Sequence, residues 1–327
     1  MRAAYYERVG PADDVFEVGE QPIPEPRSGE VRVRLTCSGV NPSDVKMRSG
    51  ARGSELPFPR IVPHSDGSGV IDAVGDDVMD HTPGTRVWVW NAGWRRAHGT
   101  AAEYVVLPAE QAVPLPYSTS DEAGACLCIP ALTACHAVLC HGGVKGQSVL
   151  VAGGAGAVGH YAIQIARARG AGQILTTVSS AEKARLAEAA GADAVIDRHE
   201  DIAARVAEFT GGAGVDRIIE VDLATNAETD LGALRRGGLI VAYGSSAPTV
   251  SIPFFPAILN NTLLQFFIVY ELEASARRAA IDVLDELLAQ ERLQHNIAER
   301  IPLERIAEAH ARVERGEVMG NVVLTIA

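Results

Sequence analysis

Gln147-Ser-Val-Leu-Val-Ala-Gly-Gly-Ala-Gly-Ala-Val-Gly159 carries the densest structural information in the chain. An apolar run, Val149–Ala152, enters Gly154-Ala-Gly-Ala-Val-Gly159, which satisfies G-x-G-x-x-G. Beyond it Val158, Tyr161, Ala162, Ile165 and Ala166 recur at spacings of three and four, the stripe of a helix lying on a core. Strand, glycine turn and helix in that order form a phosphate cradle. The glycines permit a tight turn, close backbone approach to a pyrophosphate, and close packing of helix on strand. The unsatisfied N–H groups and positive end of the helix then face the phosphates. The motif alone is weak evidence; its setting makes it specific.

Outward from this turn, strand-like runs recur at Ser148–Ala152, Ile174–Val178, Ala194–Ile196, Val215–Val221, Leu239–Tyr243 and Leu264–Val269. Helical stretches near 157–169, 181–190, 200–209 and 226–235 separate them. Such alternation predicts an α/β architecture, a parallel sheet with crossover helices. Residues 1–120 instead hold short β-branched runs such as Val31–Thr36, Arg86–Trp90 and Tyr104–Leu107, broken by Pro and Gly. They read as a mixed or barrel-like β domain. The tail reads as helix at Ala274–Gln290 and Leu303–Arg315, then a strand at Val322–Ile326.

The end of the second strand selects the coenzyme. An NAD site wants an acid about 20 residues past the glycines, on the ribose hydroxyls. Here Ile174–Val178 ends in Ser179-Ser180, with Lys183 one helical turn on and Arg198 past the third strand. A hydroxyl and an ammonium suit a 2′-phosphate, so NADPH is the expected cofactor.

The 327 residues are 47% hydrophobic and 21% charged, which fits about two folded domains and excludes wholesale disorder. A net charge of −12 disfavours nucleic acid and anionic lipid as partners. No apolar run reaches the roughly 18–20 residues of a membrane helix, and Met1-Arg-Ala-Ala-Tyr5 opens without a signal-peptide core, so a cytoplasmic protein is expected. Five cysteines, an odd number, argue for free thiols. Four of them crowd Cys126–Cys140 beside His136 and His141, in a segment otherwise apolar that reads as packed helix. Zinc-knuckle spacing is missing, so no metal is expected there. No G-x-S-x-G elbow supports a hydrolase.

With these residues in view, the chain resembles the medium-chain dehydrogenase/reductase superfamily, and within it the zeta-crystallin-like quinone oxidoreductases. The resemblance rests on Gly39-Val-Asn-Pro-Ser-Asp44, Met47-Arg-Ser-Gly50, Pro63-His-Ser-Asp66 through Gly75, Gly84–Trp88, Ala102–Val106, Ile129–Ala134, the glycine turn and Gly191–Ile196. It implies a GroES-like β-barrel-type catalytic domain over 1–122 and 272–327, and a Rossmann NADP(H)-binding domain over 123–271. It also implies an active-site cleft between them.

Zinc alcohol dehydrogenases of this superfamily carry ligands where this chain has Asn41, Ser65 and Ile129. One amide, one hydroxyl and one alkyl group cannot make an N/S tetrahedral site. Zinc-independent hydride transfer from NADPH to a quinone is therefore expected. An NADPH-dependent enone or enoyl reductase remains open, as does a low-turnover NADPH-binding structural or RNA-contacting protein.

The resemblance assigns Asn41 as amide donor to a substrate carbonyl and Thr133 to the nicotinamide end. Gly153, Ala155, Gly156, Ala157, Val158 and Gly159 would bind the pyrophosphate, and Ser179, Lys183 and Arg198 the adenosine phosphate. Tyr243, Gly244, Ser245 and Ser246 would lie beside the nicotinamide ribose, and Phe266, Phe267 and Ile268 by the carboxamide. Lys46 and Arg52 stand where relatives have tyrosines, so they either line the substrate pocket and favour an anionic or carbonyl-rich acceptor or point to solvent. Asn321, another expected cofactor contact, stands where many relatives have lysine. A homodimer through the apolar Rossmann edge strand Leu264–Tyr270 is also implied.

Overall fold

The computed structural model describes residues 1–326; Ala327, the last residue of the expected catalytic domain, lies outside them. The chain forms two compact units, Met1–Ile129 with the tail from Leu288, and Pro130–Leu287. Residues 272–287 thus fall in the second unit, where the sequence expectation put them in the first. The reason is packing: within helix Ala274–Ala289, Ala280 accepts from the Cys135 thiol at 3.5 Å and Glu286 pairs with Arg169 at 2.6 Å. Residues 123–129 fall in the first unit.

In the second unit the strands are Ser148–Val151, Gln173–Val178, Ala194–Asp197, Val215–Glu220, Leu234–Ala242 and Leu263–Phe266. All pair in parallel, and counted in chain order they lie 3-2-1-4-5-6, the dinucleotide-binding order. Val149, Val151 and Ile219 are fully buried on one face of the sheet. Leu150, Ile218 and Ile240 join Val206, Leu223 and Leu231 in a core on the other. Burial on both faces explains why these strands read as continuous apolar runs.

Three local features depart from the sequence reading. The fifth strand begins at Leu234 rather than Leu239; a register shift between Val215 and Arg217 of its neighbour absorbs Arg235–Gly238. The sixth strand ends at Phe266, opposite Ala242, because its partner ends there. Around Cys126–Cys140 the continuous packed helix is replaced by a short helix Asp121–Gly124, a π turn Leu127–Ala131 and a helix Leu132–Leu139. Pro130 lacks the N–H a regular ladder needs and sits inside the turn. The second helix is closed by a buried guanidinium: Arg217 donates to the carbonyls of Ala137, Val138, Cys140 and Gly143 at 2.8–3.1 Å. A cation at a helix C-terminus meets the negative end of the dipole.

The first unit is organised around one long strand, Glu30–Val40. One edge pairs antiparallel with Asp66–Val74. The other pairs with Tyr104–Pro108 along its first half and with the tail strand Asn321–Thr325 along its second. Sharing one edge between two partners curls the sheet around Val31, Val33, Leu35, Ile71 and Val105, which are buried. The expected helix Leu303–Arg315 is a 3-10 turn Leu303–Arg305 followed by helix Ile306–Glu314. No helix among the described residues is long and apolar enough to cross a membrane.

Candidate active site

In the second unit, Gly156 is the N-cap of helix Ala157–Ala168 and has no side chain to satisfy it. The N–H groups of Ala157, Val158 and Gly159 open that helix, where no carbonyl four residues back can serve them. A Cβ on Gly159 would lie 2.3 Å from the Gly153 carbonyl oxygen, so only glycine lets the helix approach the turn. Gly153 donates its N–H to Thr177 Oγ1 at 3.1 Å, and Gly154 donates to the Thr177 carbonyl at 3.2 Å. These two amides hold the turn on the second strand, and the opening amides of the helix begin further along. Thr177 went unnoticed in the sequence; a hydroxyl at the end of the second strand was its only signal.

Ser179 follows the second strand, and Lys183 Nζ donates to its Oγ at 3.0 Å. Ser180 caps helix Ala181–Ala189 by accepting from the Lys183 N–H. Arg198 is brought to the same strand end, its N–H donating to the Val178 carbonyl at 2.8 Å. Asp197, opposite Val178, accepts from the His199 N–H in its own turn.

At the other half of the sheet's carboxyl edge lie Tyr243, which follows the fifth strand, and Phe267, which follows the sixth. Phe267 meets both Tyr243, with ring centroids 6.4 Å apart, and His136, at 4.6 Å, in tilted contacts. His136 is one turn beyond buried Thr133 on helix Leu132–Leu139, and burial lowers its pKa. Ser246 N–H donates to Asp222 at 2.7 Å and Leu223 N–H to the Gly244 carbonyl, which pins the Tyr243–Ser246 loop; Ser245 Oγ donates to the Ala247 carbonyl. Phe266 and Ile268 are exposed, so of the three expected carboxamide residues only Phe267 turns inward.

In the first unit, Asn41 is the N-cap of helix Pro42–Arg48 and is 3% exposed. Its backbone N–H donates to Asp44 Oδ2 at 2.9 Å, and its side-chain amide donates to Asp66 Oδ2 at 2.8 Å. Burial pushes Asp44 and Asp66 each up to about 7; the Asp66 charge raises Asp44 further and Arg52 draws it down. Exposed Arg52 therefore acts on this cluster electrostatically; Lys46 is half-buried on the same helix. Asn321 is buried and its side-chain amide donates to the Asn296 carbonyl at 3.1 Å. Asp44 and Asp66 lie within the motifs that carry the resemblance, but the sequence assigns neither a task. Each carboxylate sits among small and polar neighbours, Asn41-Pro-Ser before Asp44 and His64-Ser before Asp66, so nothing local marked it as buried.

The family's zinc-ligand positions hold a different donor set here. The side chains at 41, 65 and 129 are an amide bonded to Asp66, a buried hydroxyl and an alkyl group. The described residues contain no cluster of three or more His, Cys, Asp or Glu that could hold a metal ion. The residues do not fit zinc. The glycine turn and the Ser179–Lys183 pair do fit a phosphorylated dinucleotide.

Residues 27–117 match the family described as "Alcohol dehydrogenase GroES-like domain", and 157–286 the one described as "Zinc-binding dehydrogenase". The chain belongs to the medium-chain dehydrogenase/reductase family, quinone oxidoreductase type, and is an oxidoreductase with a GroES-like and a Rossmann domain that uses a nicotinamide cofactor. Among its relatives is the human quinone oxidoreductase, 31% identical over 313 residues that cover 93% of this chain and 91% of that one. A solved NAD-dependent alcohol dehydrogenase is 33% identical over the full length of both chains, with a TM-score of 0.91. A mycobacterial protein solved in complex with NADPH is 29% identical over the full length of both, with a TM-score of 0.89.

Proposed function

We propose that this protein is a zinc-independent, NADPH-dependent oxidoreductase whose acceptor is a quinone. The observation that carries the coenzyme choice is the Lys183–Ser179 pair at the end of the second strand. An ammonium held by a hydroxyl offers charge-assisted donors to a 2′-phosphate. The uncapped amides of Ala157, Val158 and Gly159 receive the pyrophosphate, and Arg198 adds positive charge to the adenosine end. Thr133, Tyr243 and Phe267 hold the nicotinamide half, since each half of a doubly wound sheet binds one mononucleotide. Bound there, NADPH supplies a hydride.

The chain's own contribution is positioning and hydrogen bonding, without a Lewis acid. The Asn41 amide donates to the acceptor's carbonyl oxygen. That modest polarisation suffices for a ring already electron-poor. Arg52 lowers the Asp44 carboxyl electrostatically, and its positive charge favours a carbonyl-rich acceptor. The quinone name of the human relative supports this acceptor class, while the alcohol dehydrogenase with its NAD dependence is the contrary precedent.

The sixth strand is a sheet edge, and Leu263, Phe266, Phe254, Phe255 and Leu259 beside it are more than half exposed. An apolar, unpaired edge of this kind is served by pairing with a second copy of the chain.

Steady-state assays with NADPH and NADH against quinones, enones and enoyl thioesters test the reading. Turnover of quinones with NADPH preferred is the expected result. Clear preference for NADH removes the 2′-phosphate site from the account.

A further inference from the structure

Asp66 is wholly buried and forms no ion pair among the described residues, in a protein already carrying a net charge of −12. A lone buried carboxylate costs several kcal/mol unless its hydrogen bonds are satisfied. Both of its oxygens are. Oδ1 accepts from the Ile129 N–H at 2.7 Å and Oδ2 from the Asn41 amide at 2.8 Å. A Cβ on Gly39 would lie 2.8 Å from Asp66 Cβ, so the neighbouring strand clears room for it.

The backbone of Asp66 is held just as firmly, by a buried chain whose directions can be worked out. A carbonyl only accepts, so Thr100 Oγ1 donates to the Asp66 carbonyl. Thr100 must then accept from Ser38 Oγ, 2.8 Å away, and Ser38 must accept from His64 Nδ1–H, also at 2.8 Å. His64 Nε2 is left to accept from His310 Nε2–H at 2.9 Å. His64 meanwhile holds a left-handed φ of +78°, a conformation that persists in a non-glycine residue when its surroundings over-determine it. Two side-chain oxygens and one carbonyl thus fix Asp66 in place.

An ionised carboxylate accepts and cannot donate, whereas a primary amide does both and can turn over. We propose that Asp66 is a positioning residue, whose carboxylate locks the Asn41 amide with its NH2 edge engaged and so makes Asn41 a donor to the acceptor's carbonyl. The assignment rests on the reading of Asn41 given above. The other groups facing Asp66 are the Asp44 carboxylate, on which Arg52 acts, and the thiols of Cys126 and Cys128. None of these replaces an acceptor-only oxygen beside the amide.

The test compares the unaltered enzyme with Asp66→Asn and Asn41→Ala, using NADPH with a para-quinone and with a conjugated enone. The enone depends on carbonyl polarisation more than the quinone does. In Asp66→Asn the enone kcat should fall about tenfold, the quinone kcat less than about threefold, with the NADPH KM unchanged. Enone turnover by the unaltered protein should rise with pH through about 7, as Asp66 ionises, and that limb should be missing from Asp66→Asn. Equal losses on both acceptors, or an unchanged enone kcat with the limb intact, overturns the proposal. If Asn41→Ala keeps full enone activity, the donor reading of Asn41 fails. If it loses that activity while Asp66→Asn does not, only the role of Asp66 fails. Should Asp66→Asn not fold, absence of the limb in the unaltered enzyme decides against the proposal.

Discussion

Arg48, whose side chain is wholly buried, places Nη2 2.7 Å from Glu314 Oε2 and joins helix Pro42–Arg48 to helix Ile306–Glu314. Its Nη1 donates to the Gly10 carbonyl at 2.6 Å. The same short helix carries Asn41 at its N-cap, so a tail contact steadies the proposed donor.

Arg48→Met keeps the volume, removes the charge and leaves the Gly10 carbonyl without its donor. It should destabilise the first unit by about 3 kcal/mol. Glu314→Gln, at a partly exposed partner, should cost about 1 kcal/mol or less. Urea unfolding of the two variants checks the order; equal effects would show that the ion pair, not the buried guanidinium, matters.

Glu220 and Asp230 are buried neighbouring carboxyl groups, and neither Glu220 Oε2 nor Asp230 Oδ2 has a hydrogen-bond donor. Two facing acceptors require a shared proton. Burial and the neighbouring carboxylate raise Asp230, so the folded state holds a proton the unfolded state releases above its ordinary carboxylate pKa. Stability from this pair is therefore present in acid and lost as pH rises to the alkaline side. Asp230→Asn supplies a permanent donor. Its melting temperature should exceed that of the unaltered protein at alkaline pH, by an amount equivalent to about 1–3 kcal/mol, with the gap closing toward acid. A constant gap across pH would contradict the shared proton.

Gly159→Ala drives a methyl group into the Gly153 carbonyl and pushes the helix off its turn. NADPH affinity by fluorescence titration should drop at least about tenfold, because the opening amides lose their aim. Retained affinity would mean that the phosphates sit elsewhere.

Lys183→Ala removes the ammonium from Ser179 and leaves the helix cap at Ser180 in place. The KM for NADPH should rise about tenfold or more, while that for NADH stays nearly constant. Raising salt should weaken NADPH binding by the unaltered enzyme more than by the variant.

Most of the fold was legible because periodicity is a local property. The runs at Ser148–Val151, Gln173–Val178 and Val215–Glu220 announce buried parallel strands, and the glycine turn between strand and helix fixes their use. The domain seam was less so, since helix Ala274–Ala289 is assigned by what it packs against, and a sequence does not print its partners. The same holds for Asn41. Its place in a loop was readable, but its bond to Asp66, 25 residues away, was not. Arg217 is the clearest case. In Val215-Asp-Arg-Ile-Ile-Glu220 it looks like a surface charge, and only the folded chain shows four carbonyls waiting for it.

The most direct test of the central claim follows the loss of NADPH absorbance with a quinone, before and after exhaustive chelation, with bound metal assayed on the same sample. Unchanged turnover in a metal-free preparation, with NADPH strongly preferred over NADH, is the predicted result. Stoichiometric zinc that leaves with the activity, or turnover driven by NADH alone, contradicts it.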